Sequence, residues 1–322
     1  MTFKNEYNKV ILNFIFFYIL FNFSRKNTQI NGQSKKREIK VALCTMGRKE
    51  NLYAKEFIEY YIKLGIDHMF IYDDNPPLTE KIQDVIDEKY MDKISIYEAK
   101  KQKISNQIIA FTSCYKNNLN EFDWFIMVDM DEYLYIVNDT LKNYLTNKIF
   151  DKCDFIKIHW ANSQDNGLLY YDPRPLFTRF KKPYIKSKYI KSIIRGNITN
   201  LKYYVHSPYI SPDRNITCDN EGNVIKYKNM NFQFIDNINI NKSYLIHFRF
   251  KSTEELINKM KRGYSNWHKN HSRQIMIERI TSYFEENKIT LEKINFIEKE
   301  LKLNLSSIRN MINKTNITNK FE

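Results

Sequence analysis

Asp129, Met130, Asp131 and Glu132 stand in a row behind the apolar run Trp124–Val128. On a strand, residues two apart face the same way, so Asp129 and Asp131 share a face with Phe125 and Met127. Two carboxylates that close repel each other, and they stay ionised only with a cation beside them. Oxygen ligands suit Mn²⁺ or Mg²⁺, and such an ion would bridge to a diphosphate. The bland alternative is a solvated acidic strand end. Lys191 and Arg195 fall on one face of a later strand, where they would clamp phosphate or form a solvated basic edge. His268 and His271 lie three apart but lack the acid of a His-Glu-x-x-His site, so they are set aside.

The elements around these residues alternate. Apolar runs at 39–45, 67–73, 93–99 and 123–129 read as strands. Between them, 52–64, 79–90 and 104–119 carry helical spacing, with Ala54, Phe57, Ile58, Tyr61 and Ile62 on one stripe and Gly65 as the stop signal. That order predicts an α/β fold, a doubly wound, mostly parallel sheet whose ligands bind at the carboxyl ends of the strands. Asp129 and Asp131 would sit there. Beyond residue 150 the runs 154–160, 175–180, 188–195 and 244–250 read as strands of a mixed region, followed by helices at about 252–263, 272–287 and 290–301.

Composition narrows the class. The chain has 322 residues, 43% hydrophobic and 15% aromatic, so it is not a disordered sequence. A net charge of +14 points to an anionic partner. The four cysteines, Cys44, Cys114, Cys153 and Cys218, show no CxxC spacing, and they are read as buried free thiols. Val10–Phe23 is the one strongly apolar stretch. It is short for a bilayer span and is read as an N-terminal hydrophobic anchor or interfacial helix, with a basic linker behind it. The expected divisions are 1–37 for anchor and linker, 38–290 for the main domain, and 291–322 for a final helix and polar tail.

Five blocks in order resemble glycosyltransferase family 92 and its relatives in the family 2 group. They are CTMGRKENLYAKEFIEYYIKLGIDHMFIYDDN, DWFIMVDMDEYLYI, HWANSQDNGLLYYDPRPLFTRF, KYIKSIIR and YLIHFRFKSTEELINKMKRG, over about residues 40 to 265. The resemblance implies the GT-A fold, a Rossmann-like nucleotide-sugar-binding mixed sheet. It also implies a divalent metal and inversion at the anomeric carbon. Asp131 would bind the metal, Asp129 the ribose or a metal-bound water, and His247 would complete the metal shell. Arg48, Lys49 and Glu50 would meet base and diphosphate, although the family's usual Lys-Asn-Glu is altered here. Asp73 or Asp74 would contact the base, Gln107 would reach the nucleotide, and Lys191 would meet phosphate. Asp165 would be the general base that takes the acceptor's proton. Trp160 would stack on an acceptor sugar or serve as a core aromatic. His206 resembles a family histidine of unassigned role.

The function implied is a metal-dependent hexosyltransferase that moves a hexose such as galactose from a UDP-sugar to a glycan or lipid-linked hydroxyl. It would be membrane-associated, on the cytoplasmic face of a bacterial membrane or in the Golgi lumen. No nucleic-acid partner is expected, because the basic residues are scattered and acids cluster where phosphate would bind. The rival readings are a non-catalytic binder of anionic surfaces and a catalytically dead relative.

Overall fold

The computed structural model describes residues 37–99, 105–182, 184–203, 206–209, 216–225, 233–262 and 273–310. The expected anchor at 10–23, its membrane partner, His268, His271 and the polar tail lie outside these residues. Among the described residues no helix is long and apolar enough to cross a membrane. The described residues from Ile39 onward belong to one compact unit.

The alternating first half folds as its periodicity requires. β1 (Val41–Gly47) pairs in parallel with β2 (His68–Asp73) and β4 (Trp124–Met127), and β2 pairs with β3 (Ile94–Glu98). Odd residues of β1, Val41 and Leu43, join one core with Phe57, Ile58 and Tyr61 of α1 (Asn51–Leu64). Even residues, Ala42 and Cys44, join a second core with Phe111 and Tyr115 of α2 (Asn106–Asn118). Each large side chain sealed in these layers contributes about 1.5–3 kcal/mol. Gly65 closes α1 at φ +104°, a conformation open to glycine, and its N–H meets the carbonyls of Tyr61 and Ile62.

The second half extends the sheet. After β5 (Glu132–Ile136), the short helix α3 (Leu141–Leu145), β6 (Phe155–Asn162) and β7 (Ile185–Arg195), the short strands β8 (Lys202–Tyr203), β9 (Pro208–Tyr209) and β10 (Thr217–Cys218) follow, and then β11 (Ser243–His247). The order is β3-β2-β1-β4-β7-β6-β11-β5, with β10 added to β6 and β8–β9 as a separate pair. Contacts of β4 with β7, β7 with β6 and β11 with β5 are antiparallel, so the sheet is mixed. Helices α5 (Thr253–Arg262), α6 (Arg273–Glu286) and α7 (Leu291–Leu301) share a third core around Ile280, Tyr283 and Ile294.

Four local expectations are corrected. Residues 79–90 form no α-helix. They lie in two 3₁₀ turns, Ile82–Val85 and Glu88–Lys93, the first tied down when Asp73 accepts the Ile82 N–H at 2.8 Å. The run 175–180 is a one-turn helix, α4 (Leu176–Arg179), because Glu56 accepts the Leu176 N–H at 2.8 Å and the chain turns back on Pro175. The strand behind Asp129 ends at Met127, and 128–131 is a turn into β5, a strand not foreseen. The cysteines are not free thiols. Cys44 bridges to Cys114, joining β1 to α2, and Cys153 bridges to Cys218, joining the approach to β6 with β10. Their Cα separations of 6.2 and 5.8 Å lie in the disulfide range.

Candidate functional site: a cationic cleft at the strand ends

A cleft of about 380 Å³ opens where the carboxyl ends of β1, β4 and β11 converge on α5. The β4–β5 turn carries Asp129 and Asp131 into it. Pairing of β11 with β5 sets His247 opposite Glu132, and the Phe248 N–H donates to the Asp131 carbonyl at 2.8 Å. This register brings His247 beside Asp131. On α5, Lys259 and Arg262 are three residues apart, and that spacing puts both on the face toward the cleft.

Asp129 and Asp131 both line the cleft, but they do not act as one pair. The turn aims them at different cations, which correct the expectation of a shared strand face. Asp129 accepts from Gln107 and from Lys191 Nζ, the latter at 3.0 Å. Asp131 accepts from Lys259 Nζ at 2.7 Å, while its other oxygen stands 3.6 Å from His247 Nε2. Burial pushes the Asp131 carboxyl up, but Lys259 and then His247 outweigh it and hold it well below the usual range. Burial also keeps His247 below the usual histidine value despite Asp131, so the ring is neutral near pH 7. Lys259 therefore supplies the counter-charge to Asp131. Glu132, fully buried 3.8 Å from Lys191, is pushed well above the usual carboxylate value by burial.

Glu50 faces the same cleft. Arg262 contacts it at 2.6 Å and also donates to the carbonyls of Arg48 and Lys49 at 2.6 and 3.0 Å, pinning the loop after β1 to the end of α5. Lys251 stands 3.7 Å from Glu50. Burial raises the Glu50 carboxyl, yet Lys251 and Arg262 bring it below its ordinary value. Arg48 lines the cleft and is held by Asp74 at 3.0 Å, and Asp74 in turn accepts from Asn106 at 2.8 Å. Arg48, Arg249, Lys259, Arg262 and Arg279 line the cleft against Glu50, Asp129 and Asp131, five cations to three carboxylates. A concave surface with that balance attracts polyanions.

Other expected residues lie elsewhere. Asp73 is buried and accepts the N–H groups of Asn75 and Ile82, each at 2.8 Å, so it builds the turn after β2. The Lys49 side chain is exposed and lines a neighbouring pocket, with its own N–H on Asn75. Asp165 does not reach the cleft. It is 2% exposed, accepts from Tyr283 and, at 2.5 Å, from Lys293, and its other oxygen takes the Gly167 N–H at 2.8 Å. A carboxylate so surrounded has no path to an acceptor hydroxyl, which corrects its reading as general base. Lys259 and Arg262 were missed as site residues, although the Lys-x-x-Arg spacing inside the fifth block was the available signal.

The described residues hold no group of three His, Cys, Asp or Glu placed to share a metal ion. They do hold two donors of suitable chemistry. Asp131 Oδ1 and the neutral His247 Nε2 are separated by 3.6 Å, a spacing that two ligands of one ion can adopt, and the buried His247 Nδ1 has no hydrogen-bond partner among the described residues. One carboxylate and one imidazole, completed by phosphate oxygens and water, suit Mn²⁺ or Mg²⁺.

A family model described as Glycosyltransferase family 92 matches residues 37–286. A glycosyltransferase family 92 protein of Ricinus communis is 28% identical over 104 residues, 32% of this chain and 18% of that protein. One from Oryza sativa subsp. japonica is 25% identical over 118 residues, 36% of this chain and 20% of that protein. The match thus spans about a fifth of the length of these curated relatives. Among solved structures, S. aureus TarS 1–349 aligns over 79% of this chain and 77% of its own, at 13% identity and a TM-score of 0.34. The same fragment in complex with UDP aligns at 14% identity and a TM-score of 0.33.

Proposed function

The chain belongs to glycosyltransferase family 92, and from that membership we propose that it transfers a hexose from a UDP-sugar to a glycan or lipid-linked hydroxyl, with inversion, on a GT-A fold. The observation that carries the reading is the cleft itself: Asp131 and His247 face one another among Lys259, Arg262 and Arg48 at the strand ends. Mn²⁺ or Mg²⁺ held by Asp131 and His247 would supply charge to the leaving diphosphate. The chain's own cations do the rest. Arg48 and Arg262 lie where a diphosphate entering the cleft would meet them, and Lys259 is one ion pair away from the same place. Gln107 and Lys191 fix Asp129 as an oriented acceptor for a donor hydroxyl. A rigid array of this kind stabilises developing charge without having to reorganise during the reaction.

The two disulfides bear on location. Such bonds persist in oxidising compartments. An enzyme that needs both those bonds and a nucleotide-sugar fits the Golgi lumen better than a cytoplasmic membrane face. Alkylation of the denatured protein from its native source should find no free thiol, and four free thiols would remove this argument.

The test of the activity is a set of thermal shifts on the purified chain with UDP, GDP, CDP and ADP, each with Mn²⁺ and with EDTA. A ligand at about 100 times its dissociation constant stabilises by about 2.7 kcal/mol. Stabilisation by UDP alone, dependent on metal and absent in Asp131→Ala, is expected. No nucleotide response from the folded protein would return the chain to the dead-relative or anionic-surface reading.

A further inference from the structure

An aromatic strip leaves the cleft beside His247. Trp160 lines the cleft, its ring centroid 4.3 Å from that of His247, and it is 8% exposed. Tyr189 stacks on Trp160 at 5.2 Å with the planes 25° apart. Phe234 meets Tyr189 edge to face at 6.2 Å, and a backbone bridge joins the two residues. His206 packs against both Trp160 and Tyr189, at 5.3 and 6.2 Å. Exposure rises outward, to 39% at Tyr189 and 41% at Phe234.

Two features mark this strip as more than core packing. Two partly exposed aromatic rings, Tyr189 and Phe234, leading out from a buried Trp160 at the cleft wall, form the kind of apolar surface that ligand grooves present. At its inner end the Trp160 Nε1–H is buried and has no hydrogen-bond partner among the described residues. A hydroxyl or water arriving with a ligand would satisfy such a donor. At the outer end Lys188 lies over the Phe234 ring at 4.5 Å and 4.0 Å from Asp236, so its charge is balanced there.

We propose that the strip Trp160–Tyr189–Phe234 is the acceptor subsite and that it takes neutral pyranose rings, not a phosphorylated lipid. The inference rests on the transferase reading and deepens it by choosing between the two acceptor classes. One face of a pyranose is a sheet of C–H groups that packs on an aromatic ring, while its edge hydroxyls hydrogen-bond. Successive sugars would lie on Phe234 and Tyr189. The reacting hydroxyl would then point past Trp160 toward the donor held by the cleft. Anions are served by the cationic lining, and neutral apolar faces by the strip.

The test uses the purified full chain with UDP and Mn²⁺. Saturation-transfer NMR screens lactose, N-acetyllactosamine, chitobiose and maltose, with geranyl phosphate as the lipid-phosphate probe. Tyr189→Ala and Phe234→Ala are compared with Tyr170→Ala, an exposed aromatic outside the strip. At least one neutral saccharide should bind wild type, about tenfold more weakly in Tyr189→Ala and less weakened in Phe234→Ala. Tyr170→Ala should match wild type, and the UDP thermal shift should stay unchanged in all three variants. Saccharide affinity untouched by Tyr189→Ala, failure of every saccharide to bind, or binding of geranyl phosphate alone would overturn the proposal. If wild type shows no UDP shift but binds a saccharide through Tyr189, the donor reading falls and the strip stands as a carbohydrate site.

Discussion

Asp131 and Asp165 are both buried, 6% and 2% exposed, and both hold a lysine ammonium, at 2.7 and 2.5 Å. Yet they belong to different kinds of region. Asp165 is enclosed between a loop and the C-terminal helices. Its oxygens are taken by Lys293, Tyr283 and the Gly167 N–H, and Asn287 accepts its own N–H at 2.6 Å. Asp131 opens on a cleft, and one of its oxygens faces His247 at a distance too long for a hydrogen bond. Burial and a lysine partner do not separate structure from site. What separates them is whether the carboxylate's remaining lone pairs are already used.

The sharpest way to break this contrast is to remove Asp165. Asp165→Ala strands the buried Lys293 and should lower stability by about 3–5 kcal/mol in urea unfolding. UDP affinity per folded molecule should not change. A stable Asp165→Ala protein without turnover would restore Asp165 as the base and undo the comparison. The mirror experiment is Asp131→Asn, which should fold, shift Tm by only a few degrees, and lower turnover by about 10²–10³-fold.

A third buried lysine sharpens the rule with pH. The Lys157 ammonium donates to the hydroxyls of Ser192 and Ser207 at 2.8 and 2.6 Å, and burial pushes its pKa down to about 7. Its unfolded value is the ordinary 10.5. Between pH 7 and about 10 the unfolded chain binds more protons than the folded one, so this group makes stability rise with pH across that window. Wild type should show the rise in urea midpoints and Lys157→Met should lose it. An unchanged slope would mean that Lys157 keeps its charge in the folded chain.

The smallest effect concerns Lys259. A metal held by Asp131 and His247 would repel Lys259, which would then be released toward a diphosphate in the cleft. Lys259→Met should therefore bind Mn²⁺ about five- to tenfold more tightly without nucleotide, and bind UDP more weakly by a similar factor with Mn²⁺ present. Isothermal titration reads both constants. Changes of the same sign would remove Lys259 from this exchange.

Much of the first half of the molecule was legible in local pattern. Strand alternation sorted Val41 and Leu43 from Ala42 and Cys44 onto opposite faces of β1, and the helical stripe through Phe57 and Tyr61 needed only its 3.6-residue period. Gly65 marked its helix end, and an Asp-x-Asp behind an apolar run marked the strand end that opens on the cleft. These signals live within a few residues of the chain, where backbone geometry alone sets which side chains share a face. Tertiary structure decided the rest. It joined cysteines 70 and 65 residues apart, which no spacing motif foretold. It turned 175–180 into a helix by lending Glu56 to the Leu176 N–H, and closed Asp165 off with Tyr283 and Lys293, 118 and 128 positions away. It also laid Trp160, Tyr189 and Phe234 in one line. A local window records what a residue is and which way it points; whether that residue meets a cavity, a cation or a sulfur depends on segments far along the chain, and only packing brings those together.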